Sequence, residues 1–289
     1  MIKSNFHTHT TFCDGINTVQ ELIDAAIAKG FRRLGFSGHG NVPHAGLYPG
    51  MTLEATCGYR KEINGLKSKY AGVLDIFTGL ENDSACMHPA ADYDYTIGSL
   101  HCIKCGDWYY SVDSRESIVA RVVSDEFGGD GLAFALAYFD AVHEFASEKR
   151  ADILGHIDLV RRFNTGLDLD KNSDKNSATA QTYRFFDETD ARYRRAAEAA
   201  LERAVRSGYI IEVSTAPLAR GISGETYPAR FLLECAIGLN ARVIVNSDAH
   251  MADHLDYAFD ETESVLCDFG FKERWEYSQD GFVPINLPV

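Results

Sequence analysis

Nowhere in this chain do 18 apolar residues run together, so the sequence offers no membrane-spanning helix. Positive charge is scarce: 28 Lys and Arg stand against 42 Asp and Glu, for a net charge of −14. A general nucleic-acid or anionic-membrane binder would show a basic patch, so neither partner is expected. The opening residues lack a charged-then-apolar signal pattern, which leads us to expect a cytoplasmic protein. Cysteine is neither dense nor evenly paired. Seven are scattered through the chain, which excludes a disulfide framework and fits a reduced compartment. Cys102-Ile103-Lys104-Cys105 has redox or zinc-knuckle spacing, but no second CxxC completes a four-thiolate site. Two ordinary cysteines in a strand and turn are expected there. Asp168-Leu169-Asp170-Lys171-Asn172 opens like a calcium loop, yet the glycine at the sixth position and the closing glutamate are missing. A solvated surface loop is the expectation. No internal repeat and no linker divides the chain.

What is present is an alternation of two periodicities. Apolar, strand-like runs lie at about 2–8, 32–38, 73–80, 94–100, 152–156, 209–214 and 242–247. Helical patterns separate them. Thr18-Val19-Gln20-Glu21 is a capping box that opens a helix stopped by Gly30. Further helices are predicted at about 52–71, 131–150, 187–207, 228–239 and 254–269. Strands alternating with helices of this length imply parallel βα units, and seven such units point to a barrel rather than an open sheet. A single α/β domain over residues 1–289 is expected, interrupted by an insertion at about 103–130 and a mobile loop at about 164–186.

Two short cassettes carry the chemistry. His7-Thr8-His9 stands near one end of the chain and Asp248-Ala249-His250 near the other. Extended backbone puts i and i+2 on one face about 7 Å apart, which suits two groups converging on one metal or on neighbouring metals. Both cassettes end an apolar stretch, and a closed barrel is the fold that brings first and last strands together. Ionisable residues recur at the ends of the other strands: Asp14, His39, Glu81, His101 and His156. In barrels, that end is where active sites are built. A single histidine there is more often a hydrogen-bonded bystander. Six histidines and three carboxylates at one end exceed the needs of one ion and suffice for three. Glu212 and Ser214 share a strand face, and neither is assigned a catalytic role.

The motifs in order, His7-Thr8-His9 with Cys13-Asp14-Gly15, Gly38-His39, Gly79-Leu80-Glu81, Gly98-Ser99-Leu100-His101, Gly155-His156 and Ser247-Asp248-Ala249-His250, resemble the PHP (polymerase and histidinol phosphatase) superfamily. Asp92-Tyr93-Asp94-Tyr95, Asp152–Phe163 and Glu225-Thr226-Tyr227-Pro228 resemble its histidinol-phosphate phosphatase branch. The resemblance implies a distorted seven-stranded (β/α)7 barrel, PHP/TIM-like, with a trinuclear site. It implies that His7, His9, Glu81 and Asp248 hold one metal. Glu81, as a bridge, would hold a second with His101 and His156, and Asp14, His39 and His250 a third. The metals would be zinc, iron or manganese. Two stretches depart from the family pattern, Val213–Leu218 and the insertion from Cys102 to Gly131, both where a specificity loop would sit.

Divalent ions of this kind lower the pKa of bound water, so a metal-bound hydroxide held by Glu81, His7, His9 and Asp248 is the expected nucleophile. The substrate expected is a phosphate monoester, with L-histidinol phosphate first. The alternatives are a PHP-type nucleotide phosphatase or exonuclease, and a non-catalytic module stabilised by its metals. Arg161 is the expected phosphate ligand, since a planar guanidinium grips two oxygens at once. Arg162 is expected to face solvent or an acidic loop, and Arg60 and Arg220 are weaker phosphate candidates. His44 is the candidate proton donor to the leaving alkoxide. His88, His143 and His254 are expected on the surface or in packing, and Trp108-Tyr109-Tyr110 either caps the site or anchors the insertion. The partner expected is a small phosphorylated substrate, and the sequence specifies no oligomeric state.

Overall fold

The computed structural model describes residues 4–41, 50–84, 89–164 and 185–288. Strand β1 (Ser4–Asn5) leads to helix α1 (Val19–Ala28), where the capping box forms: the Thr18 hydroxyl accepts from Glu21 N, and the Glu21 carboxylate accepts from Thr18 N. Then come β2 (Arg33–Phe36), α2 (Leu53–Lys67), β3 (Asp75–Asp83) and β4 (Tyr95–Ser99). A hairpin of β5 (Cys102–Cys105) and β6 (Trp108–Ser111) precedes α3 (Glu116–Phe127), α4 (Gly131–Glu148) and β7 (Ile153–Leu154). The remainder is α5 (Ala191–Arg206), β8 (Ile210–Ser214), α6 (Ala216–Ala219), α7 (Arg230–Gly238), β9 (Val243–Asn246), α8 (Phe259–Phe269) and a last hairpin, β10 (Glu273–Ser278) with β11 (Gly281–Asn286).

Seven strands pair in the order β1-β2-β3-β4-β7-β8-β9, and all these neighbours are parallel. This is the distorted barrel the alternation predicts. Its seam, between β9 and β1, is closed mainly by side chains. Asn246 Oδ1 accepts from Phe6 N at 2.9 Å, and Asn5 Nδ2 donates to Ser247 Oγ at 2.7 Å. Above them the backbone takes over: Ala249 N donates to His7 O and His9 N to Ala249 O. The two cassettes are thereby stitched directly to one another.

The barrel interior is apolar at its floor. Phe6, Phe77, Tyr95, Ile97, Ile153, Ile210 and Ile244 pack there, with Trp275, Tyr277 and Phe282 of the last hairpin laid against them. Two further apolar layers lie outside the strands, one under α1 and α2 and a larger one under α4, α5 and α7. Tyr95 is the keystone of the floor. Its hydroxyl donates to Phe6 O at 2.5 Å, and its ring occupies the space that side chains at Gly35 and Gly79 would need.

The structure departs from the expected inventory in three places. The insertion at 103–130 is not a polar loop but a hairpin and a helix, α3, whose Val119, Val122 and Val123 are buried at helical spacing. The last hairpin alternates aromatic with charged residues, and buried Arg274 and Glu276 satisfy one another there. The helix expected at 254–269 starts only at Phe259, because Ala258 ahead of it is left-handed. The loop expected at 164–186 falls almost wholly outside the described residues.

The crowding around Tyr95 is testable. A Cβ at Gly79 would lie 2.3 Å from Tyr95 Cζ, whereas one at Gly65, in α2, would meet nothing within 4 Å. Gly79→Ala should lower the urea unfolding free energy by about 1–3 kcal/mol, the usual cost of overpacking. Gly65→Ala should raise it by roughly 0.5–1 kcal/mol, because alanine is the better helix former. Equal midpoints for the two variants would refute the packing assigned to Tyr95.

Candidate metal centre

Extended backbone just beyond β1 points His7 and His9 into the mouth of the barrel, and both are fully buried. The next turn folds back tightly, with Cys13 N and Gly15 N both donating to Thr10 O, and this carries Asp14 over His9. A side chain at Gly15 would strike the His9 carbonyl, so glycine is required for that approach. His39 follows β2, Glu81 lies on β3, His101 follows β4 and His156 follows β7. Asp248 and His250 follow β9, with Asp248 held at a left-handed φ of 48°, uncommon for a residue other than glycine.

All nine expected ligands converge. Glu81 lies at the middle. Its Oε2 is 3.2 Å from His7 Nε2, 3.5 Å from His9 Nε2 and 2.9 Å from His39 Nδ1. Its Oε1 is 3.0 Å from His156 Nε2 and 3.5 Å from His101 Nε2. Asp248 Oδ1 lies 3.0 Å from His9 Nε2 and 3.4 Å from His250 Nδ1. Asp14 reaches His9 at 3.5 Å, His39 at 3.6 Å and His250 at 3.2 Å. Four overlapping groups have their donor atoms mutually within 4.8 Å: His9, Asp14, His39 and His250; His7, His9 and Asp248; His7, Glu81 and His156; and His39, Glu81 and His101.

The donors fit divalent metal ions. Ligand atoms about 2.1 Å from one tetrahedral ion stand about 3.4 Å apart, close to the separations here. His7 Nε2, His9 Nε2 and Glu81 Oε2 are buried and make no hydrogen bond. Buried polar atoms left so are costly, unless a cation takes up their lone pairs. Electrostatics point the same way. Burial resists a proton on His7, yet Glu212, Glu81 and Asp248 raise its pKa well above the usual imidazole value. Burial and the neighbouring His250 and His39 push His9 down to about 3. Glu81, which burial alone would push up, is held well below the usual carboxylate range by His7, His39 and His101. Positive charge is what this cluster demands.

A cleft of about 440 Å³ opens onto the centre, lined by Asp14, His39, His101, His156, Asp248 and His250 on the metal side and by Asp113, Ser114, Leu159, Arg162 and Arg220 on the other. The expected phosphate ligand, Arg161, does not line it. Its guanidinium is buried against Asp158 at 3.0 Å, Glu188 at 2.8 Å and Glu225 at 3.5 Å, tying the strand end to the start of α5 and the α6–α7 connection. Arg162, expected to face solvent or an acidic loop, lines the cleft, with Asp113 of the insertion turn 3.8 Å away and its Nε buried without a hydrogen bond. The reason is local: residues 159–161 form a 3₁₀ turn, which turns consecutive side chains by about a third of a circle. Arg220 donates to Asp248 Oδ2 at 3.1 Å and contacts His250 Nδ1 at 2.9 Å. Arg60 pairs with Asp92 away from the cleft. Trp108, Tyr109 and Tyr110 do not line it, and Trp108 is exposed. His143 bonds Arg203 between α4 and α5, and His254 packs near Tyr257. His44 and His88 lie outside the described residues.

The model of the PHP domain family matches residues 5–216. This chain belongs to the PHP domain family. A "probable histidinol-phosphatase" of Deinococcus radiodurans is 28% identical over 277 residues, 91% of this chain and 92% of that protein. The histidinol-phosphatase of Bacillus subtilis is 24% identical over 282 residues, 90% of this chain and 98% of that protein. A crystal structure of histidinol phosphate phosphatase from Lactococcus lactis, in complex with zinc, L-histidinol and phosphate, has the same fold. Its TM-score is 0.68 at 19% identity, covering 97% of this chain and 98% of that one.

In this PHP chain two carboxylates that the sequence reading left without a role brace the centre from behind. Glu212, fully buried on β8, accepts at 2.7 Å from the His7 ring, at 2.9 Å from Asn246 and at 3.0 Å from His156 N. Asp83, on the same face of β3 as Glu81, accepts from His101 N at 2.7 Å and lies 3.2 Å from His101 Nδ1. A carboxylate on the far nitrogen fixes an imidazole's tautomer and aim and makes it a stronger ligand. One signal for Glu212 was available: an acidic residue within the apolar run Ile210–Val213 must have a buried partner.

Two variants separate bracing from scaffolding. Glu212→Gln should leave the chain folded but weaken divalent-metal retention by roughly 10- to 100-fold, read by titration against a chelator. Arg161→Ala should act on stability, since it leaves Asp158 buried beside Glu188 without a cation. A loss of about 3–5 kcal/mol is expected in denaturant unfolding. Full metal retention in the first, or an unchanged midpoint in the second, would contradict these assignments.

Proposed function

We propose that this chain is a metal-dependent phosphate-monoester hydrolase, with L-histidinol phosphate as its substrate. The observation that carries this reading is a cluster of nine side chains able to ligate metal, centred on Glu81, that opens onto a cleft lined by two arginines outside that set. The names of the Deinococcus and Bacillus relatives, which match this chain over nearly its whole length, support the particular ester. The centre is read as trinuclear, with His7, His9, Glu81 and Asp248 for one ion, Glu81, His101 and His156 for the second, and Asp14, His39 and His250 for the third. Ions held there would supply Lewis-acid stabilisation of phosphoryl oxygens and water of lowered pKa, and zinc, iron or manganese suits the mixed imidazole–carboxylate set.

The residues themselves do the rest. Glu81 is kept anionic by its imidazole ring of neighbours, so one carboxylate can serve two cations. Arg220, anchored on Asp248, and Arg162, across the cleft, present guanidinium forks where a phosphoryl group would sit. Spread negative charge in the transition state is what such preorganised donors stabilise most. The acidic chain favours a small ester over a nucleic-acid strand.

Elemental analysis of gently purified protein should give about three divalent ions per chain. A screen over histidinol phosphate, nucleotides and sugar phosphates should show histidinol phosphate as the best substrate. Glu81→Gln should abolish turnover, and Arg162→Ala or Arg220→Ala should lower kcat/KM by roughly 10²-fold or more with metal content preserved. One metal or none after supplementation would sink the trinuclear reading. A preference for nucleotides would replace the substrate.

A further inference from the structure

The insertion between β4 and β7 is fastened to the metal centre rather than hung from it. β5 begins one residue after His101, Cys102 pairs with Ser111, and Val112 N donates back to His101 O at 2.9 Å. The next residue is Asp113. Its Oδ1 accepts from Ser111 Oγ at 3.0 Å, and Ser111 Oγ in turn accepts from Ser114 N at 3.1 Å, so the turn carrying the carboxylate is braced at both sides. Asp113 and Ser114 both line the cleft. Among the described residues lining that cleft, Asp113 is the one carboxylate outside the nine-ligand set. Among the described residues its nearest cation, Arg162, is 3.8 Å away, beyond hydrogen-bond reach.

This placement is poor for a residue that only binds phosphate, because a carboxylate beside the phosphoryl site repels the substrate's own charge. It is good for an ester that carries a cation close to its phosphate. Histidinol phosphate is such a molecule, an amino-alcohol ester whose ammonium stands on the carbon next to the phosphorylated one. We infer that Asp113 is the specificity residue that takes the ammonium group of the substrate, with the inserted hairpin as its mount. This rests on the phosphatase reading above and narrows it to phosphate esters of vicinal amino alcohols.

The test compares histidinol phosphate with its deamino analogue, the same ester lacking the ammonium group, in the metal-loaded chain. The wild-type chain should prefer the amino ester. Asp113→Asn should shrink that preference in kcat/KM by roughly 10- to 100-fold, the scale of one charge-assisted hydrogen bond, chiefly through a higher KM for the amino ester. Asp113→Lys should reverse it, favouring an ester with a carboxylate in place of the ammonium. If Asp113 served only to orient Arg162, both esters would lose equally and the ratio would hold, which would overturn the inference while leaving the phosphatase reading intact. A wild-type chain inert towards both esters, with its metals bound, would overturn that reading and this one with it.

Discussion

The dominant constraint in this molecule is the confinement of charge. Six imidazoles and three carboxylates meet at the barrel mouth, all but Asp14 and His250 buried. In a medium of low polarity such groups are tolerable only when each faces an opposite charge at close range. That condition dictates rigid mounts. Every ligand therefore sits on a strand, just past its end, or in a turn tied to it by backbone hydrogen bonds. Glu81, with an imidazole against each oxygen, is the point on which the other distances depend.

The same strands must do opposite work at their two ends. Toward the floor they contribute Phe6, Phe77, Ile97, Ile153, Ile210 and Ile244, and within a few residues they turn to His7, Glu81, His101, His156, Glu212 and Asp248. Glycines mark several of the transitions. At Gly155 an added Cβ would lie 2.4 Å from Ser99 Oγ and 2.9 Å from Ile97 Cγ2, so its absence lets the end of β7 pack closely against β4. The barrel is thus an insulated base beneath a polar lid. The last hairpin, with Tyr277 against Phe77 and Tyr95, seals the base.

Much of this could be read in the chain itself. Seven apolar runs, five with a histidine and one with Glu81 at the end, report strand positions and a shared face together, because strand periodicity and barrel topology leave little freedom. The nine converging residues were legible for that reason. Arg161 was not, because a 3₁₀ turn decides which of two adjacent arginines faces inward, and composition carries no trace of that choice. Asp83 and Glu212 act through other side chains, so no spacing rule marks them. The insertion looked like loop because its glycines outweighed the valine spacing of α3, and the last hairpin alternates aromatic with charged residues in a way that resembles surface.

The seam of the barrel has a consequence for how the molecule comes into being. Asn5 and Ser247, 242 residues apart, are hydrogen-bonded across it, and the two cassettes meet just above. Such distant pairings form late, after the long intervening chain has closed its loop. During synthesis His7 and His9 emerge about 240 residues ahead of Asp248 and His250, the acidic residue and imidazole that complete their cluster. Until then the early half holds a partial, exposed set of imidazole and carboxylate donors. Completion of the centre consequently waits on the full span from β1 to β9, and a product interrupted within that span would present ligands without ever assembling the site.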